Sequence, residues 1–196
     1  MIYLYSGTPG SGKSLHVARD ILIKLSRNHS VIANFPINKP KKLKGKFLYY
    51  DNSELSPKLF VEFAEKNHKK GIEGQSLIVI DECSVLFNTR DYHDKNRMTW
   101  ITFLQQHRKY GYNLILISQS DRLIDRQIRA YIEYDVKHRI VNNFGTIGMF
   151  FSLLGLKVFA CVTYWYGVKE RIGVEFFLYR KKYSKIYDSY QIFRKT

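Results

Sequence analysis

Residues 2–15 read Ile2-Tyr3-Leu4-Tyr5-Ser6-Gly7-Thr8-Pro9-Gly10-Ser11-Gly12-Lys13-Ser14-Leu15, a short apolar run followed by G-x-x-x-x-G-K-[ST] without a mismatch. The run predicts a strand and the apolar residues beyond the motif predict a helix, which is the setting a phosphate-binding loop requires. Gly7, Gly10 and Gly12 let the backbone turn so that its N–H groups converge on phosphate, and the positive end of the following helix points the same way. Gly7, Thr8, Pro9, Gly10, Ser11, Gly12, Lys13 and Ser14 are therefore read as the ATP-binding set. Lys13 reaches the β- and γ-phosphates as a point charge, and the Ser14 hydroxyl ligates Mg²⁺.

Working outward, Leu15, Val17, Ala18, Ile21, Leu22 and Leu25 recur at helical spacing and predict a helix from Gly12 to Arg27. Val31 to Phe35 reads as a second strand and Phe47 to Tyr50 as a short third one. Between them, Pro36 to Lys46 carries five lysines and reads as an exposed basic loop, facing either solvent or a polyanion. Ser56-Pro57 is a helix start, Ser as N-cap and Pro at the first helical position, and Gly71 closes that helix.

Leu77-Ile78-Val79-Ile80 is uniformly apolar, as a central parallel strand buried on both faces would be. It ends in Asp81-Glu82, at the sheet edge where open α/β sheets bind ligands. Asp81 is assigned to Mg²⁺, opposite Ser14, and Glu82 to orienting and deprotonating the attacking water. A helical pattern from Asp94 to Tyr110 then leads to another buried strand, Asn113 to Gln119, whose terminal Gln119 is placed to sense the γ-phosphate. Arg108, Arg122, Arg126 and Arg129 are each candidates for an arginine finger acting in a neighbouring subunit; Arg108 is favoured, and the catalytic set becomes Lys13, Glu82, Gln119 and Arg108.

Tyr131 to Val141 reads as a strand. Phe144 to Gly167 is the one stretch apolar enough to suggest a membrane span. Three glycines interrupt it, however, and a span there would put a basic tail outside, against the positive-inside tendency. The preferred reading is a hairpin, Val158 to Tyr166 and Val174 to Tyr179, turning around Gly167 to Gly173. Arg180 to Thr196 is basic with interleaved aromatic residues, suited to DNA, to lipid headgroups or to packing its rings on the core.

The 196 residues, 45% hydrophobic, fit one domain with a good core. We divide it into an ATPase core, 1–141, and a β-rich extension, 142–196, packed on the same domain. A formal charge of +15 favours a polyanionic partner. Cys83 and Cys161 have neither disulfide-framework nor zinc spacing, and the N-terminus lacks a signal peptide's basic region and cleavage site.

With GTPGSGKS at the start, LIVIDE at 77–82, HRKYGYNLILISQ at 107–119, DRLIDRQIR after it and YRKKYSKIYDSY at 179–190, the chain resembles the zonular occludens toxin family, the N-terminal ATPase domain of filamentous-phage assembly proteins. That resemblance implies an α/β P-loop NTPase fold of the RecA or ring-ATPase type, with a mainly parallel sheet flanked by helices. It further implies a cytoplasmic position at the inner face of the host inner membrane, a homo-oligomeric ring, and single-stranded DNA and phage coat or assembly proteins as partners. Members continue into a transmembrane helix, whereas this chain stops at Thr196, which implies either a truncated chain or anchoring by another subunit. The expected function is an Mg-ATP-hydrolysing motor for phage assembly and export. The alternatives are a nucleotide-gated scaffold with little turnover and a small-molecule kinase, for which the basic excess has no role.

Overall fold

The structure, a computed structural model, describes residues 1–88 and 96–187. Its frame is one eight-stranded sheet in the order β3-β2-β4-β5-β1-β6-β7-β8. The strands are β1 (Ile2–Ser6), β2 (Ser30–Ala33), β3 (Phe47–Tyr49), β4 (Ser76–Ile80), β5 (Tyr112–Ile117), β6 (Tyr134–Ile140), β7 (Val158–Trp165) and β8 (Glu170–Leu178). From β3 to β6 every pairing is parallel; β7 and β8 close the edge antiparallel. The last two strands of the extension thus continue the sheet of the core.

Period-two alternation sorts the strand residues onto two faces. Ile2, Leu4, Ile78, Ile80, Leu114 and Leu116 pack with α2 (Pro57–Asn67) and α4 (Asn96–Gln106). Tyr5, Leu77, Val79, Ile115 and Ile117 pack with α1 (Lys13–Ser26) and with Phe159, Cys161, Phe177 and Tyr187 from the extension. β4 is buried along its whole length, as its unbroken apolar run requires. Ser56 caps α2 by accepting from Leu59 N, with Pro57 in the first turn. The α1 helix ends in a Schellman motif: Asn28, at φ 62°, takes the left-handed position, Asn28 N donates to Leu25 O and His29 N to Lys24 O.

Between β4 and β5 lies the short α3 (Cys83–Leu86), and between β5 and β6 the short α5 (Arg126–Arg129). The expected start of α4 at Asp94 lies outside the described residues, as do Tyr190 and Phe193 of the tail. Its end comes at Gln106, before the expected Tyr110.

Two sequence expectations need correction. Residues 145–153, given no element beforehand, form α6 (Gly145–Leu153), closed by a second Schellman motif in which Gly155 N donates to Ser152 O and Leu156 N to Phe151 O. The hairpin is real, but β8 begins at Glu170 rather than Val174, because Gly173 pairs with Thr163 inside the ladder, beside a register shift at Thr163/Tyr164. A glycine that reads as a turn here sits paired inside the ladder, next to Ile172, the residue that the register shift skips. The chain closes in the short α7 (Lys181–Ser184), which packs on α1. Among the described residues no helix is long and apolar enough to cross a membrane.

Candidate nucleotide site

Because β1 through β6 run parallel, the loops after them gather at one edge of the sheet. The registers Tyr5↔Ile117 and Ile80↔Leu116 bring the ends of β1, β5 and β4 to nearly one level. Gln119 therefore leaves the sheet on the strand that separates the loop after β1 from Asp81-Glu82. With Gly7, Thr8 and Pro9 it lines a cleft of about 530 Å³.

The loop itself is held open by glycine. Gly7, Gly10 and Gly12 have φ of 142°, 76° and 98°, all in the region L side chains avoid. Two of them are also hemmed in: a Cβ on Gly7 would lie 2.7 Å from His138 O, and one on Gly12 would lie 2.5 Å from the Phe159 ring. Gly10 has nothing within 4 Å. The N-cap of α1 is Gly12 with no side-chain cap, so the first-turn N–H groups stay free for an anion. Inside the loop the Ser11 hydroxyl is buried without a hydrogen-bond partner among the described residues. These features fit a polyphosphate.

Lys13 curls over the loop, Nζ donating to Gly7 O at 2.6 Å and Thr8 O at 3.1 Å. Burial lowers its pKa, and the negative charges of Glu82 and Asp81 work the other way, raising it. Lys13 is thus within electrostatic reach of both acids. Asp81 is fixed from two sides: its N–H donates to Asn34 Oδ1 at 2.7 Å, and its carbonyl accepts from Asn34 Nδ2 at 2.8 Å. Glu82 N donates to Asp81 Oδ1 at 2.9 Å, and the Tyr187 hydroxyl donates to Asp81 Oδ2. Glu82 sits in the left-handed region, φ 45° and ψ 48°, an unfavourable backbone state for a non-glycine residue at the start of α3.

Asn34 and Tyr187 were not foreseen as site residues. Asn34 had a readable cue, a polar residue just past a buried strand; Tyr187 had none beyond its place in the terminal motif.

Beneath the loop lies a buried relay. His138 Nδ1 is 2.9 Å from Val136 O and 3.2 Å from Ser6 O, so it carries the proton and leaves Nε2 as acceptor. His16 Nδ1 donates to that nitrogen at 2.8 Å, and His16 Nε2 accepts from Arg19 Nη2 at 2.6 Å. Burial keeps both rings neutral, lowering His16 to about 2 and His138 to about 4. With Cys161 they are the one His/Cys/carboxylate group of metal-ligand spacing among the described residues. The hydrogen bonds already engage every ring lone pair that a metal would use, so the group reads as a polar relay.

Arg108 lies elsewhere. It follows α4 at the amino end of β5 and pairs with Glu133, beside the chain's own N-terminus. It is therefore at the opposite end of the sheet from the phosphate loop of its own chain. Arg122 and Arg126, on the loop-bearing side of β5, are exposed.

The sequence matches the family "Zonular occludens toxin (Zot)" over residues 1–192. The chain belongs to the zonular occludens toxin family, a family of P-loop NTPases. The Gene 1 protein of Enterobacteria phage f1 is 28% identical over 145 residues, which cover 69% of this chain and 40% of that protein. The match thus covers well under half the length of that relative. Among solved structures, the N-terminal domain of zonular occludens toxin from Neisseria meningitidis superposes with a TM-score of 0.61 at 18% identity, covering 95% of this chain and 98% of that one. The genome packaging NTPase B204 from Sulfolobus turreted icosahedral virus 2, in complex with ATP-gammaS, gives a TM-score of 0.55 at 15% identity, covering 89% and 95%. At such identities these likenesses establish the fold, a P-loop NTPase with a mostly parallel sheet.

Proposed function

We propose that this Zot-family domain is an Mg-ATP-hydrolysing motor for the assembly and export of filamentous phage. The observation that carries it is the convergence at one sheet edge of an anion-ready glycine loop, Lys13, and two acids within its electrostatic reach. Gly7 to Ser14 hold the triphosphate through backbone N–H groups and Lys13. Ser14 and Asp81 are the residues that would hold Mg²⁺, which would supply neutralisation of the triphosphate's charge. Glu82, beside Asp81, takes the proton of the attacking water, and Gln119 senses the γ-phosphate from the strand between. Arg108, remote from its own loop, acts as a finger only in the site of a neighbouring subunit, which is why we propose a homo-oligomeric ring.

The phage role rests on family membership and on the likeness to a Gene 1 protein of a phage. The proposed cargo, single-stranded DNA, suits the +15 charge. Coat and assembly proteins, and the inner face of the inner membrane, complete the proposal.

The test is phosphate release with Mg-ATP, single-stranded DNA and lipid vesicles. Glu82→Gln should bind nucleotide normally while turnover falls at least roughly 100-fold, the usual cost of losing a general base. Lys13→Ala should lose nucleotide affinity altogether. Wild-type protein that binds ATP yet releases no phosphate under any of these conditions would be a nucleotide-gated scaffold instead.

A further inference from the structure

The terminal motif, 179–190, has no role in the reading above, and the described part of it ends against the nucleotide site. Its path is fixed by several independent contacts. Asn38 N donates to Ile186 O at 2.9 Å and Asn38 Nδ2 to Lys185 O at 3.1 Å, tying the segment to the loop after β2. The Tyr187 ring stacks on Phe35 with centroids 4.0 Å apart and planes at 30°. Both rings are buried in the core cluster on the α1 side of the sheet. From that seat the Tyr187 hydroxyl donates to Asp81 Oδ2.

We propose that Tyr187 is a positioning residue of the nucleotide site, its hydroxyl orienting the Asp81 carboxylate toward the metal of Mg-ATP; this rests on the assignment of Asp81 made above. The Asp81 backbone is held by Asn34, but its side chain has only two donors in the described structure, Glu82 N on Oδ1 and Tyr187 on Oδ2. Glu82 N is an adjacent backbone group and tolerates several carboxylate rotations. Tyr187 is a buried, stacked phenol that cannot follow the carboxylate, so it selects one. Each carboxylate oxygen has two acceptor sites, and holding one by a hydrogen bond leaves the other free for the metal or its water. Orientation by partners behind the ligand is how metal-binding carboxylates are generally tuned. A structural consequence follows by linkage: if docking of 180–187 favours metal-nucleotide binding, metal-nucleotide binding equally favours docking of 180–187.

The experiment titrates a fluorescent ATP analogue onto the full chain with Mg²⁺ and again with EDTA. Wild type, Tyr187→Phe, Asp81→Ala and the double variant are compared. Tyr187→Phe keeps the ring and its stack on Phe35, and should weaken the Mg²⁺-dependent affinity roughly tenfold, as for a hydrogen bond to a charged group, leaving the EDTA affinity unchanged. In the Asp81→Ala background it should cost nothing further. In the wild-type protein, amide exchange over 181–187 should slow with Mg-nucleotide and not with nucleotide in EDTA; this readout stands even if the variant folds poorly. An unchanged Mg²⁺ dependence, an equal loss in EDTA, a full additive loss on Asp81→Ala, or indifferent amide exchange would each overturn the proposal while leaving ATP binding intact. Wild-type protein that binds no nucleotide would instead sink the motor reading and this proposal with it.

Discussion

Gly12 carries two constraints at once, and they separate cleanly from those on its neighbour. Its φ of 98° disfavours any side chain, and an added Cβ would also strike the Phe159 ring at 2.5 Å. Gly10, at φ 76°, shares the first constraint only, since its missing Cβ faces open space. Gly10→Ala should therefore cost about 1–2 kcal/mol, the left-handed penalty alone. Gly12→Ala should cost about 2–4 kcal/mol once overpacking is added. Urea unfolding of the two variants measures the difference, and Phe159→Leu should return part of the Gly12→Ala loss by making room. The sequence motif announces that both positions are glycine for the sake of an anion. It has no means of announcing that a ring from the far end of the chain lies on one of them. Tyr187 and His138 were illegible for the same reason: each meets the loop or its acids only because β6 pairs with β1 and the terminal segment returns to the α1 side of the sheet.

Elements whose pattern is carried by burial were readable, and those placed by tertiary contact were not. The runs of β1, β4 and β5 are apolar because both their faces are covered, and the Ser56-Pro57 start of α2 is a local signal that needs no partner. The α6 helix was unreadable because it is apolar all round, and a helix with little amphipathic contrast offers no periodicity. Its Gly148 looks like a breaker, yet a Cβ there would lie 2.6 Å from the Val141 and Asn142 carbonyls, so it is a close-packing position. The histidine relay joins α1 to β6 and gives these elements a shared pH dependence. Both imidazoles are depressed in the folded state, so they contribute stability above the ordinary histidine pKa of about 6.5 that is lost as pH falls below it. Asp20, raised to about 6 by burial against the Tyr5 hydroxyl bond that opposes the shift, acts in the opposite sense over the same interval. His107, also lowered by burial, acts with the relay, and Asp135, also raised by burial, acts with Asp20; three depressed histidines oppose two raised carboxylates, and the melting temperature should fall between about pH 6.5 and pH 4.5. His138→Gln should flatten that slope when the same melts are repeated.

At the scale of the whole molecule, apolar exposure concentrates on the extension. The α6 helix presents Ile147, Met149, Phe150 and Leu153 to solvent, the last at 85% exposure, with no charged residue in its nine positions. Beside it, Phe151, Phe176 and Leu178 line a groove of about 440 Å³ that has Arg19 and Arg180 among its walls. An exposed apolar surface of this kind, next to the exposed Arg180, complements an anionic bilayer: rings and aliphatic chains enter the acyl boundary while the Arg180 guanidinium meets phosphate, Arg19 being held by Glu175 and His16. The inner-membrane association proposed for this protein is therefore assigned to α6 and the groove. In flotation assays the protein should bind vesicles containing phosphatidylglycerol and leave pure phosphatidylcholine vesicles unbound at 0.15 M salt. Met149→Asp with Leu153→Asp should reduce partitioning by roughly 100-fold, the loss of two buried apolar side chains. ATP affinity should be unchanged, because neither residue touches the loop. If vesicle binding survives those substitutions, the attraction is electrostatic only and α6 does not insert. If they alter sedimentation instead, the face belongs between subunits of the ring.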